Sequence, residues 1–314
     1  MRPRVTLFRA IALLTVFWSI SGTVLSADPV PLTELKSGTT TALYGVCFIS
    51  PSVGWAVGGS GTILSTTNGG STWKAQKSGS DGILFKVAFP TPKAGWVVGA
   101  NGTILKTTDG GMTWKPQKSG TNAQLYDVMF LDRHGWIVGS DGTIISSEDG
   151  GESWQDQQTA THAILYGVQF VDAKTGWAVG SVGTVLATKD GGRTWTAQET
   201  NTPSTLFDVF FSDSLNGWIV GNGGILLQTL DGGAKWEDRS MAKPVDLTSV
   251  VFTDFKSGWV VGDRGTVLRT TDGGFNWRLY ARGPQNTFYA AAFPNAKTGF
   301  AVGDNGMIVK IVAP

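Results

Sequence analysis

The chain is predicted to be all-β: a seven-bladed β-propeller of four-stranded antiparallel blades, its ring closed by an N-terminal strand that completes the last blade. Three observations predict it. Forty-three glycines and thirteen tryptophans stand beside only 16% charged residues, a composition of many short strands and tight turns. The pair Gly-Trp recurs at Gly54-Trp55, Gly95-Trp96, Gly135-Trp136, Gly176-Trp177, Gly217-Trp218 and Gly258-Trp259, with Gly299-Phe300 as a seventh copy; the spacing is 41 residues, once 40. A turn motif beginning Asn68-Gly69-Gly70 and ending at Trp73 follows the first copy, and Asp-Gly-Gly versions follow the next five. Such a period, with four strand signals in each unit, belongs to a propeller rather than to a solenoid or a helical array.

The elements of one unit follow in order. In the first, strand A is predicted over Leu43 to Ile49, strand B over Gly54 to Gly58, strand C over Thr62 to Thr66 and strand D over Thr72 to Lys77. Pro51-Ser52, Gly59-Ser60-Gly61 and Asn68-Gly69-Gly70 separate them as turns. Strand B copies such as Trp55-Ala56-Val57 are apolar on both faces and must be covered on both, as a blade wedged between two others is. The seventh unit runs only through Lys310-Ile311-Val312. Its strand D is expected from the other end of the chain, where Leu32 to Gly38 aligns with Trp73 to Gly79. Pairing of that segment near Met307 to Ile311 would remove the open edge of a seven-unit arc. No helix is predicted in the propeller.

Residues 1–27 have the layout of a secretory signal peptide: Arg2, Arg4 and Arg9, an apolar run from Ala10 to Ile20, and small residues at Ser26-Ala27. The propeller is then 28–314, exported to a periplasm (a thylakoid lumen in an oxygenic phototroph) or to the outside. An uncleaved N-terminal anchor is the alternative. A net charge of +1 gives no reason to expect nucleic acid as partner. A single cysteine, Cys47, excludes an intramolecular disulfide, and with His134 and His162 alone no metal site is expected. No cofactor is expected either.

The turn motif has a structural chemistry. In Thr107-Thr108-Asp109-Gly110-Gly111-Met112-Thr113-Trp114 the carboxylate can accept turn N–H bonds, the glycines can take positive φ and the indole can pack into the blade. The same structural role is expected for Asn68, Asp109, Asp149, Asp190, Asp231 and Asp272. These residues resemble the BNR/Asp-box repeat. With the Gly-Trp-x-Val-Gly-x-x-Gly-Thr-Ile-Leu pattern of Gly95 to Leu105, the chain resembles the photosystem II stability/assembly factor family, over Pro31 to Val312. The resemblance implies a non-catalytic scaffold that holds a membrane-complex subunit or precursor. A monomer is expected, compatible with peripheral attachment to a membrane.

Two sets of residues vary against the repeat and are the candidates for binding a partner. The third residue of strand A gives Lys86, Asp127 and Asp208, expected near the mouth of the central channel. The residue before it is aromatic in six units. The second set is Arg239, Arg264, Arg269, Arg278 and Arg282, five of the seven arginines after residue 27, all in blades 5 and 6. Arginines suit bidentate capture of carboxylates or phosphates. Asp254, Asp263 and Asp272 lie in the same region. Two other readings stay open. An Asp-box glycosidase would need paired carboxylates; Asp127 and Asp208 are the best pair, and two blades apart they are expected to be too distant. An envelope scaffold unrelated to photosynthesis is the other.

Overall fold

The computed structural model describes residues 32–241 and 244–313; the expected signal segment and its cleavage near Ala27 lie outside them. Seven four-stranded antiparallel sheets follow one another round a ring, and among the described residues no helix is long and apolar enough to cross a membrane. In blade 1 strand A is Leu43–Phe48, B is Gly54–Gly58, C is Ile63–Thr66 and D is Lys74–Gln76. Strand D starts two residues later than expected because the Asn68 side chain holds Thr72 in the turn: Oδ1 accepts from the Thr72 N–H at 2.9 Å. Every strand B is buried from the glycine of its Gly-Trp or Gly-Phe pair onward. Three one-turn 3-10 segments, Asn222–Gly224, Asp263–Gly265 and Asp304–Gly306, occupy B–C turns where no helix was expected.

The ring closes as the alignment of its ends requires. Thr33–Leu35 pairs antiparallel with Ile308–Val312, in the register Thr33 with Lys310 and Leu35 with Ile308. Strand D of blade 7 thus comes from the start of the propeller, and no turn joins strands C and D in that blade.

Blades are held together by an aromatic ladder. The Trp of each Gly-Trp pair stacks on a phenylalanine that ends strand A of the next blade: Trp55 on Phe89 at 3.6 Å between ring centroids, Trp136 on Phe170 at 3.7 Å, Trp177 on Phe211 at 3.5 Å. The Asp-box Trp of that blade meets the same phenylalanine edge-on, as Trp114 meets Phe89. Phe300 against Phe48, at 3.8 Å, closes the circle. The glycine of the pair is required by this stacking. A Cβ on Gly135 would lie 2.5 Å from the Phe130 ring that crosses it, and a Cβ on Gly54 2.6 Å from Phe48.

The Asp-box turns consume their own polar groups. The Asp109 carboxylate accepts from the Thr113 hydroxyl (2.6 Å) and N–H (2.9 Å) and from the Thr107 hydroxyl (2.7 Å). Those bonds, Thr113 first, hold its pKa down at about 2.

Strain sits in the B–C turns, where two consecutive residues take a left-handed conformation, the second always glycine and the first Ser60, Asn101, Asp141, Val182, Gly223, Arg264 or Asn305. Most are residue types that tolerate it. A β-branched side chain does not, and Val182, at φ 55°, is also 75% exposed. Val182→Asn is therefore expected to stabilise the fold by about 1 kcal/mol, read as a rise in the urea midpoint at unchanged m-value. Unchanged or lower stability would mean that the turn is not strained.

Candidate functional site

Strand A lines the channel, and a bulge arranges what it presents there. In every blade the pairing of strands A and B slips after the first residue, so that Leu43 faces Gly58 while Gly45 faces Val57. A regular strand would send residues 44 and 45 to opposite faces; the inserted residue lets both reach the channel at successive levels. The second residue, usually aromatic, surrounds one end. The third gives Lys86, Asp127 and Asp208, which line a cavity of about 400 Å³ further in.

These charges are tied into the wall. Lys86 Nζ lies 3.0 Å from Asp127 Oδ1. Asp127 is buried and accepts from its neighbour Val128 N–H (2.8 Å) and from Val168 N–H of blade 4 (3.0 Å). Asp208 does the same with Val209 (3.0 Å) and Val250 of blade 6 (2.9 Å). Each carboxylate staples its strand A to the next one. Both line the channel cavity as structural acceptors. Burial opposes the charge on Lys86, yet Asp127 and Asp208 outweigh it and raise its pKa. Cys47 lines the same cavity, its thiol pKa raised chiefly by burial.

Asp208 carries a pH dependence. Burial first, and then the nearby Asp127 charge, push its pKa up to about 6 against the pull of Lys86. A carboxyl whose folded-state pKa exceeds its unfolded value keeps its proton longer in the fold. Its contribution to stability is therefore greatest below about pH 4 and is lost as pH rises through 6. Asp208→Asn keeps an acceptor for Val250 and removes the titration. It is expected to match the wild type at pH 4 and to be more stable by about 1–3 kcal/mol at pH 7. Urea unfolding at the two pH values measures it; parallel profiles for the two proteins would refute the raised pKa.

The five arginines do not form one patch. Arg278–Arg282 is strand D of blade 6, and its register sets Arg269 against Arg278 near the Asp-box turn but Thr266 against Arg282 at the other end. Arg264, in the B–C turn, belongs with Arg282. Arg239 is engaged between blades: it donates to Gln228 Oε1 (3.0 Å) and Glu237 Oε2 (2.7 Å) and lies over the Phe275 ring. Among the described residues, the other four form no salt bridge, with Asp254, Asp263 or Asp272 or with any other carboxylate.

Arg269 and Arg278 remain, bordering a pocket of about 350 Å³ with Asp272, Asn276 and Tyr280. Ring closure changes what faces this pocket. At the position of Arg269, Lys106 in blade 2 donates to the turn carbonyl of Gly150 in the next blade (2.7 Å), and Gln228 in blade 5 donates to Gly273 (2.9 Å). Blade 7 has no such turn. Arg269 instead lies over Trp259 and Tyr280, at 5.1 and 5.8 Å from the ring centroids, with a buried Nε that finds no partner. A guanidinium oriented by two rings, with unused donors and exposed Arg278 beside it, is suited to a carboxylate.

A sequence profile of the photosynthesis system II assembly factor YCF48 family matches residues 78–156, 153–204 and 194–281. The chain belongs to that family. No curated protein matches it in sequence. Among solved structures, "YCF48 bound to D1 peptide" superposes with a TM-score of 0.77 at 23% identity, over 92% of this chain and 97% of that one. YCF48 from Cyanidioschyzon merolae gives 0.74 at 22%, over 90% and 99%. The WD40 propeller of Doa1 gives 0.75 at 11%, over 90% and 96%. At these identities the likeness is one of fold.

Of the two histidines, His134 opens strand B of blade 3 and stacks beside Trp136, and His162 lies in the loop before strand A of blade 4. His162 has an acidic neighbour that its sequence surroundings did not suggest, Asp141 at 2.9 Å. Both are almost wholly exposed, so the contact adds little.

Proposed function

We propose that the chain is a non-catalytic protein-binding scaffold that holds a membrane-complex subunit or its precursor during assembly. The partner is of the D1 kind, and the work is done outside the cytoplasm. Family membership across residues 78–281 carries this reading. A solved YCF48 propeller bound to a D1 peptide supports it. The binding surface proposed is the Arg269–Arg278 pocket, which takes a carboxylate of the partner. The even repeat, with Asp127 and Asp208 engaged as backbone acceptors, favours scaffold over glycosidase.

The test is affinity purification of the tagged protein from its own host, after gentle solubilisation of membranes, beside the Arg269→Gln/Arg278→Ala variant. Enrichment of photosystem II core subunits or precursors by the wild type, and its loss in the variant, is expected. Enrichment of an unrelated envelope complex would overturn the photosynthetic reading; equal enrichment by the variant would overturn the site.

A further inference from the structure

One mouth of the channel carries a second feature that the arginine pocket, on the outer strands of blade 6, does not explain. The second residues of strand A form a collar: Tyr44, Phe85, Tyr126, Tyr166, Phe207 and Tyr289. From Tyr289 round to Phe207, successive ring centroids are 5.0, 5.8, 4.9, 5.1 and 5.7 Å apart, the rings tilted against one another. They border a cavity of about 450 Å³. All six rings are half-buried.

The collar is broken in blade 6, where Thr248 replaces the ring and donates to Phe288 O at 2.5 Å. Carboxylates gather at this gap. Asp246 and Asp263 border the cavity, and Asp304 receives the Tyr289 hydroxyl at 2.8 Å. Their hydrogen-bond donors among the described residues are neutral: Asn222 Nδ2 and Gly223 N–H for Asp246, the Thr287 hydroxyl for Asp263, Thr287 N–H and Tyr289 for Asp304. Among the described residues no Lys or Arg side chain pairs with any of the three. Arg264, adjacent to Asp263 in the chain, is exposed.

Aromatic rings, and carboxylates that have no charged partner among the described residues, favour the same ligand. A ring quadrupole attracts a cation over its face, and an acidic edge adds to that attraction. A carboxylate ligand would be repelled, and a neutral sugar would leave the negative charge uncompensated. We propose that the collar binds a lysine or arginine side chain presented by an extended segment of a partner polypeptide. The site lies at the channel mouth, away from the Arg269–Arg278 pocket on the outer strands of blade 6, and stands or falls independently of it.

The probe is the peptide acetyl-Gly-Arg-Gly-amide, with the citrulline peptide and maltose as neutral comparisons, titrated into the purified protein and followed through the tyrosine ring signals in NMR spectra. The arginine peptide is expected to bind at least about tenfold more tightly than the citrulline peptide, a discrimination of about 1.4 kcal/mol. Asp246→Asn and Asp263→Asn, which retain the hydrogen-bond geometry, should each cut that preference several-fold. The Arg269→Gln/Arg278→Ala variant should bind the probe like the wild type. Equal affinity for arginine and citrulline peptides, preference for maltose, or no shift of the collar tyrosines would each overturn the proposal.

Discussion

A chain that begins after Gly38 is expected to lose the closed ring. Removing Thr33–Leu35 leaves Ile308–Val312 as an unpaired edge beside blade 1 and uncovers side chains that are fully buried in the intact fold, Ile308, Val309 and Ile311 among them. Leu35 also packs across the junction, its Cδ1 lying 2.6 Å from where a Cβ on Gly70 would stand, and Leu32 packs on blade 7. Lost burial of two half-buried leucines and exposure of three aliphatic residues sum to the order of 5 kcal/mol or more. That equals a large share of the stability of a typical domain. An open apolar edge also invites pairing between chains. Comparison of the 28–314 and 39–314 chains by near-ultraviolet circular dichroism and gel filtration should show lost tryptophan signal and aggregation for the shorter one. A synthetic peptide covering residues 30–40 should restore part of both by strand addition. A soluble 39–314 monomer with an unchanged melting curve would contradict closure by this strand.

Trp136→Ala is expected to be the most damaging of single truncations in the ladder. The ring is 1% exposed, stacks on Phe170 of the next blade at 3.7 Å, and donates its indole N–H to Gly191 O at 3.0 Å. The substitution removes a packed aromatic between two blades and leaves a turn carbonyl without its donor. Such truncations cost about 3–5 kcal/mol. Met112→Ala, at an Asp-box residue that is 78% exposed, is the control, expected within about 0.5 kcal/mol of the wild type. Urea midpoints for the two variants measure the contrast. Similar midpoints would mean that blade-to-blade stacking does not hold the ring.

The repeat was legible because each copy must solve the same packing problem. A glycine is needed wherever a phenylalanine crosses strand B, and a tryptophan wherever the next blade must be reached, so both recur at the blade period. The phenylalanine itself, Phe48 through Phe293, recurs at the same spacing, but amid the other apolar residues of strand A it is not distinctive. The closure was legible because the two chain ends complement each other.

The site was less so. Arg278 and Arg282 are four residues apart in sequence, yet on a strand that is roughly 13 Å, enough to send them to opposite ends of the blade. The expected cluster therefore divides. That Arg269 has unused donors depends on an absent turn in the neighbouring blade, which strand order and register reveal. The slip in strand A, which turns two consecutive side chains towards the channel, has no residue signature beyond a variable third position and an aromatic second one. Lys86, Asp127 and Asp208 were singled out by variation alone, and only their hydrogen bonds identify two of them as staples.

Calorimetric titration of the purified 28–314 chain with a synthetic D1 peptide most directly tests partner binding through the arginine pocket. One-to-one, saturable binding is expected, weakened at least about tenfold by Arg278→Ala, as loss of a charge-assisted hydrogen bond implies, and unchanged by Asp208→Asn. Absence of binding, or binding indifferent to both Arg278→Ala and Arg269→Gln, would contradict it.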